Sequence, residues 1–192
     1  MSPVRTTEAQ VLDGARRAMD RYGWTAATSE RIAQEAGISR VTLHRRGLTR
    51  KRILELLTEE ATDRYREAMW PVLTASGSPR ERLEQALEAL CRLAEENMSL
   101  LVALDGAANA AVFHEEGEEQ LTRSVFTEPL ERILRDGAVV GDLRELEPAE
   151  TATVLFNLVG WTYIHLRTGH GWQEGRARSQ TLEIALRGVI TR

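Results

Sequence analysis

The chain has one cysteine in 192 residues. It can therefore close no intrachain disulfide and build no multi-cysteine metal site, and it suits a reducing compartment. That residue, Cys91, is expected as a small core side chain. No apolar run approaches the roughly 20 residues needed to span a bilayer, and the opening MSPVRTTEAQ lacks the apolar core of a signal peptide, so a cytoplasmic protein is expected. Period-two alternation of useful length is missing, as is any internal repeat, which leaves an all-α chain. Catalytic spacings are missing as well: there is no G-x-S-x-G, P-loop or GxGxxG. The histidines His44, His114, His165 and His170 show neither H-E-x-x-H nor paired-cysteine spacing. His114-Glu115-Glu116 reads as a charged helix end. Neither an enzyme nor a bound metal or cofactor is expected.

What is present is an uneven distribution of charge. The net charge is −4, but residues 1–54 carry 11 Arg/Lys against 5 Asp/Glu, a balance of +6, leaving −10 for residues 55–192. A basic end is what counterion release from DNA requires, and an acidic remainder stays soluble and off the DNA.

The basic end contains TSERIAQEAGISRVTLHRRGLTRKRIL, residues 28–54. Thr28 suits an N-cap for a short helix over Ser29 to Ala36, and Gly37 falls where a helix C′ residue takes positive φ. Ser39 caps a second helix, Arg40 to Arg46, which gives the spacing of a helix-turn-helix. Ile32, Ala33, Ile38 and Leu43 face inward. Arg40, Val41, His44 and Arg45, with Thr42 in part, face outward, followed by Arg46, Arg50, Lys51 and Arg52. In such a motif the second helix enters the major groove, where arginine reads guanine edges, an apolar group meets the thymine methyl and flanking cations hold phosphates.

From Val11 to Leu54 the chain resembles the N-terminal DNA-binding domain of TetR-family transcriptional regulators. The shared features are an amphipathic first helix ending in Tyr22-Gly23, the threonine cap, Ile32-Ala33, Ala36-Gly37-Ile38-Ser39, Thr42-Leu43, and the cation Arg50 in the cap region of a long fourth helix. It departs from the family at the end of the second motif helix, where His44-Arg45-Arg46-Gly47 replaces an aromatic-rich ending. Gly47 removes an apolar anchor there, and Leu48 is expected to pack in its place. The resemblance implies DNA contacts from Thr28, Ser39, Arg40, Val41, Thr42, His44, Arg45, Arg46 and Arg50. It also implies a homodimer joined by a four-helix bundle, and a small-molecule effector.

About nine helices are expected. Thr7-x-x-Gln10 is a capping box opening the first, with Val11, Leu12, Ala15, Ala18, Met19 and Tyr22 at helical spacing, and Gly23 stopping it. Thr49 caps the fourth, which ends near Trp70-Pro71. Ser78-Pro79-Arg80-Glu81 opens the fifth after the loop TASGSP and runs to about Asn97. A sixth covers Leu100 to Phe113 with a break at Asp105-Gly106, and a seventh covers Leu121 to Arg135, kinked by Pro129. Gly137 to Leu146 reads as a loop. Pro148 to Thr168 is apolar nearly all round, so something must cover it, and the last helix, Arg176 to Ile190, carries the stripe Leu182, Ala185, Leu186 and Val189. A second subunit is the natural cover.

Residues 1–54 are thus expected to form the DNA-binding domain, and 55–192 an effector-binding and dimerisation domain. Candidates for lining an apolar effector pocket between helices are Trp70, Leu87, Cys91, Met98, Phe113, Phe126, Asn157, Trp161 and His165. Between Leu83 and Glu119 the only cation is Arg92, which points to a neutral or cationic, largely apolar ligand. The function expected is a ligand-responsive repressor that binds a palindromic operator as a homodimer. Alternatives are a DNA-binding scaffold without an effector, and an all-α enzyme or carrier with a vestigial basic domain.

Overall fold

The computed structural model of the protein describes residues 8–105 and 124–191. Nine helices form among the described residues: α1 (Glu8–Ala26), α2 (Ser29–Glu35), α3 (Arg40–Arg45), α4 (Arg50–Thr74), α5 (Pro79–Glu96), α6 (Met98–Asp105), α7 (Ser124–Val140), α8 (Pro148–Thr168) and α9 (Glu174–Val189). The single extended pairing among them is an isolated antiparallel bridge between Leu143 and Ile190. No helix among the described residues is long and apolar enough to cross a membrane. Thr7 and Phe113 lie outside the described residues.

Two compact units emerge, described here over residues 8–62 with 97–105, and 63–96 with 124–191. The division between these units falls inside α4, and α6 packs with the first unit although α5, which precedes it, belongs to the second.

In the first unit Val11, Ala15, Ala18 and Met19 form the buried stripe of α1. Gly23 takes φ 70°, ψ 157° and interrupts that helix before a last turn to Ala26. Gly14 lies on the buried stripe where α1 meets α2 closely: a Cβ there would stand 2.6 Å from the Ala36 backbone nitrogen and 2.7 Å from its Cβ. Further along α1, the Ser99 hydroxyl of α6 lies 2.6 Å from an Asp20 carboxylate oxygen and donates to it.

The second unit is organised around Tyr65, whose hydroxyl donates to the Phe126 carbonyl at 2.6 Å. Its ring lies 5.4 Å from that of Phe126 and 6.0 Å from that of Phe156, edge-on to both, and the two phenylalanines stack at 5.2 Å. Burial pushes the Tyr65 phenol well up. A polar clamp joins α5 to α8: Arg167 donates to both Glu95 oxygens, at 2.9 and 2.6 Å, and the Tyr163 hydroxyl donates to Glu95 at 2.6 Å. The guanidinium holds the Glu95 carboxyl below the usual range, and burial together with that carboxylate raises the Tyr163 phenol. Arg167 also donates to the Trp172 carbonyl, and Arg176 lies 4.0 Å from the Trp172 ring centroid, which fixes the turn between α8 and α9.

The starts of α2, α3, α4 and α5 follow the expected caps. Ser78 and Glu81 exchange side chain-to-backbone bonds at 3.2 and 2.9 Å, a reciprocal capping box for α5. Two helix ends differ from expectation. Pro71 does not stop α4, which runs one turn further to Thr74; losing one donor near a helix end is tolerated. Helix α7 does not stop at Arg135 but continues to Val140, with Gly137 buried inside it. Here glycine serves packing rather than breakage, since a Cβ on Gly137 would come within 2.4 Å of the Leu143 side chain; the turn comes instead at Gly141, with φ 80°. Helix α8 ends at Thr168 as expected, with Gly169 as its C-cap in the right-handed region.

Gly14→Ala is expected to destabilise the fold by about 1–3 kcal/mol through overpacking. Gly188→Ala, in α9 with open space around the new methyl, should stabilise it by about 0.5–1 kcal/mol. Thermal unfolding followed by circular dichroism checks the pair, and equal signs would contradict the packing at Gly14.

Candidate nucleic-acid interface

The interface is built from two helices that end in the same way. The Thr28 side chain accepts from the Arg31 N–H at 3.3 Å and starts α2. At its far end the Ile38 N–H reaches the Ala33 carbonyl at 2.9 Å and the Gly37 N–H reaches that of Gln34 at 3.0 Å, with Gly37 at φ 67°. This is a Schellman termination, and it turns the chain straight into the Ser39 cap of α3, whose hydroxyl accepts from the Thr42 N–H at 3.1 Å. Helix α3 then ends identically: Leu48 N–H to Leu43 carbonyl at 3.3 Å, Gly47 N–H to His44 carbonyl at 2.9 Å, and Gly47 at φ 70°. Gly47 is thus the residue that closes α3, and Leu48 does supply the apolar anchor, buried with Leu43 beneath the turn. Thr49 caps α4 by accepting from the Arg52 N–H at 3.1 Å.

Helix α2 is locked to α1 from several directions. Gln10 donates to the Ala36 carbonyl at 2.8 Å, Arg17 donates to the Glu35 carbonyl, and Arg17 and Arg21 both flank the Glu35 carboxylate. Ile32, Ala33, Ala36 and Leu43 are buried, and Ile38 is half-buried.

One side of α3 is left to solvent. Val41 is 75% exposed, Arg40, His44, Arg45 and Arg46 are exposed, and Thr42 is half-buried. Ser39 and Thr42 hydroxyls also meet each other at 2.9 Å. Arg40 is not idle: its guanidinium donates to Glu30 in the first turn of α2 at 2.6 Å. Arg45 makes no ion pair or side-chain hydrogen bond among the described residues.

Arg50 departs from a simple phosphate-facing position. Its guanidinium lies 4.4 Å from the Trp24 ring centroid and donates to the Trp24 carbonyl at 2.5 Å, while its Nε is buried without a partner. It therefore ties the start of α4 to the end of α1. The sequence shows the cation and the aromatic separately, but only the fold brings them together.

The effector candidates among the described residues lie on α4, α5, α6, α7 and α8. Leu87 and Cys91 are buried on α5, and burial pushes the Cys91 thiol up to about 12, leaving it protonated and unreactive at neutral pH. Phe126 belongs to the aromatic cluster with Tyr65 and Phe156. Trp161 and His165 pair one turn apart on α8 with centroids 6.5 Å apart, half-buried and exposed respectively. Asn157 donates to the Thr153 carbonyl at 2.8 Å. Trp70 is 67% exposed on α4, where a pocket lining was expected. Met98 sits on α6 in the first unit. A groove of about 430 Å³ in the second unit is lined instead by Arg80, Glu84, Glu183, Leu186, Arg187, Ile190 and Thr191, none of them a sequence candidate. Its arginines are paired, Arg80 with Glu84 and Arg187 with Glu183.

Among the described residues, no group of three His, Cys, Asp or Glu side chains is arranged to hold a metal ion.

Arg50→Ala is expected to lower stability by about 1–3 kcal/mol through loss of the ring and carbonyl contacts. Arg50→Lys should restore less than half of that, because an ammonium cannot stack and fork at once. Urea unfolding checks this, and a variant as stable as the parent would contradict it.

Comparison with known proteins agrees with this geometry. Residues 11–46 match the sequence profile of bacterial regulatory proteins of the tetR family. No curated protein matches the chain. Solved structures share the fold over nearly the whole chain. A TetR/AcrR-family transcriptional regulator from Thermobifida fusca has TM-score 0.72 at 18% identity, covering 94% of this chain and 96% of its own. The TetR-family regulator PfmR from Thermus thermophilus has TM-score 0.70 at 23% identity, covering 92% and 97%. AibR, solved with isovaleryl coenzyme A and operator DNA, has TM-score 0.67 at 16% identity, covering 92% and 95%. At these identities the whole-chain likeness is one of fold.

Proposed function

We propose that this chain, a helix-turn-helix protein with a tetR-family N-terminal segment and the fold of TetR/AcrR regulators, is a ligand-responsive repressor that binds a palindromic operator as a homodimer. The observation that carries the reading is the solvent-facing side of α3, where an apolar residue, a histidine and arginines are held out from a helix pair whose other side is buried. Arg40, Val41 and Arg45 read base edges. Thr28, Ser39, Thr42, His44, Arg46 and Arg50 hold the backbone, the last after or alongside its contact with Trp24. Residues 1–54 form the DNA-binding domain, and the rest carries the effector and dimer surfaces.

The dimer surface is formed by α8 and α9. Val154 is 60% and Ile184 66% exposed on these helices, while Ala152, Leu155, Val159, Ala177 and Ala185 bury the other sides. Large apolar residues left outward on both terminal helices favour a second copy as their cover. The effector is neutral or cationic and largely apolar, since Arg92 is the single cation between Leu83 and Glu119 and is already beside Glu96. AibR shows that one protein of this fold carries both an acyl-coenzyme A and operator DNA. Helix α6 offers a route for coupling: it follows α5 directly in the chain yet packs on α1 through Ser99 and Asp20. A ligand acts only through its affinity difference between DNA-competent and incompetent shapes.

Selection of genomic fragments by the purified protein should return a twofold-symmetric sequence with half-sites one or more helical turns apart. Ile184→Glu, which places a charge on a surface exposed in the protomer, should leave the fold intact, yield monomers in sedimentation and weaken operator binding at least tenfold. An unselective fragment pool, or a variant that remains dimeric, would overturn the corresponding half of the reading. Arg40→Ala should relax preference at particular base pairs by about 1–3 kcal/mol; uniform loss on every operator variant would contradict its role in readout.

A further inference from the structure

Glu30 occupies an unusual position for an acid in a basic surface. It lies in the first turn of α2, where it complements the helix dipole, and its carboxylate accepts from Arg40 at the start of α3 at 2.6 Å. Both side chains remain well exposed, 67% for Arg40 and 60% for Glu30. The pair therefore does not brace a core. Of the two arginines assigned to base readout, Arg40 has an acidic partner and Arg45 has none among the described residues.

We infer that Glu30 is a specificity-determining residue: it holds the Arg40 guanidinium off the DNA unless a matching base edge replaces its carboxylate. The inference rests on the DNA-binding reading of α3. An exposed ion pair is weak and screened, so it cannot block Arg40 from a good bidentate acceptor. It can compete with a poor one, because a phosphate or a mismatched base offers Arg40 little more than Glu30 already does. The carboxylate also repels phosphates near the start of α2, a cost felt on every sequence. Together these lower non-specific affinity more than operator affinity, as specificity by penalising wrong partners requires.

Glu30→Gln keeps size and hydrogen-bonding capacity while removing the charge. Fluorescence anisotropy on the selected operator and on a scrambled duplex, at one fixed salt concentration, should show scrambled-DNA affinity rising about three- to tenfold and operator affinity rising clearly less. The ratio between the two should fall. In an Arg40→Ala background the same change should raise both affinities by one common factor, leaving the ratio unchanged, because only the general repulsion is left to remove. Equal change on both duplexes with Arg40 present would overturn the inference, and so would a lowered thermal midpoint accompanied by loss of binding to both. If the parent protein binds neither duplex, it is the DNA-binding reading itself that fails.

Discussion

The recognition helix is only as well aimed as the contact beneath it, and that contact is the meeting of α1 and α2 at Gly14 and Ala36. A Cβ on Gly14 would stand 2.6 Å from the Ala36 backbone, so the contact leaves no room for a side chain at that position. The same short stretch of α2 receives Gln10 at the Ala36 carbonyl and Arg17 at the Glu35 carbonyl. Because Gly37 and Ile38 close α2 immediately afterwards and Ser39 opens α3, little slack remains between that contact and the exposed side of α3. The far end is fixed too, by the second glycine termination and by Arg50 stacked on Trp24. A helix of six residues has almost no intrinsic stability, so its presentation is a property of this scaffold.

The second unit solves a different problem. Its helices are held by a buried aromatic cluster around Tyr65 and by the Glu95–Arg167–Tyr163 clamp, both of which join residues more than 60 positions apart. A half-buried bidentate pair with a third donor satisfies the carboxylate fully, so it fixes the relation of α5 to α8 without leaving an uncompensated charge. The outward residues Val154 and Ile184 are then carried on a rigid support rather than on loops.

Much of the first unit was legible in the sequence because its signals are local. Thr28, Gly37, Ser39 and Thr49 each do what their position in the chain suggests, and Gly47 with Leu48 follows the same logic one helix later. The start of α5 was legible for the same reason, as Ser78 and Glu81 are three residues apart. Non-local features were not. The Arg40–Glu30 and Arg50–Trp24 pairs require the angle between helices, which spacing does not encode. Gly137 shows the ambiguity of glycine: the residue taken for a loop start serves close packing, and the turn belongs to Gly141. Trp70 shows the corresponding ambiguity of aromatics, being exposed where a pocket lining was expected.

If the proposed function holds, the basic side of α3 and the start of α4 engage duplex phosphates. Titration of the protein onto its selected operator at several salt concentrations tests it most directly. Neutralising two or more phosphates per protomer predicts, for a protein that binds as the proposed dimer, a slope of log affinity against log salt of about −4 or steeper. A slope near zero would mean that α3 and the start of α4 engage no phosphates.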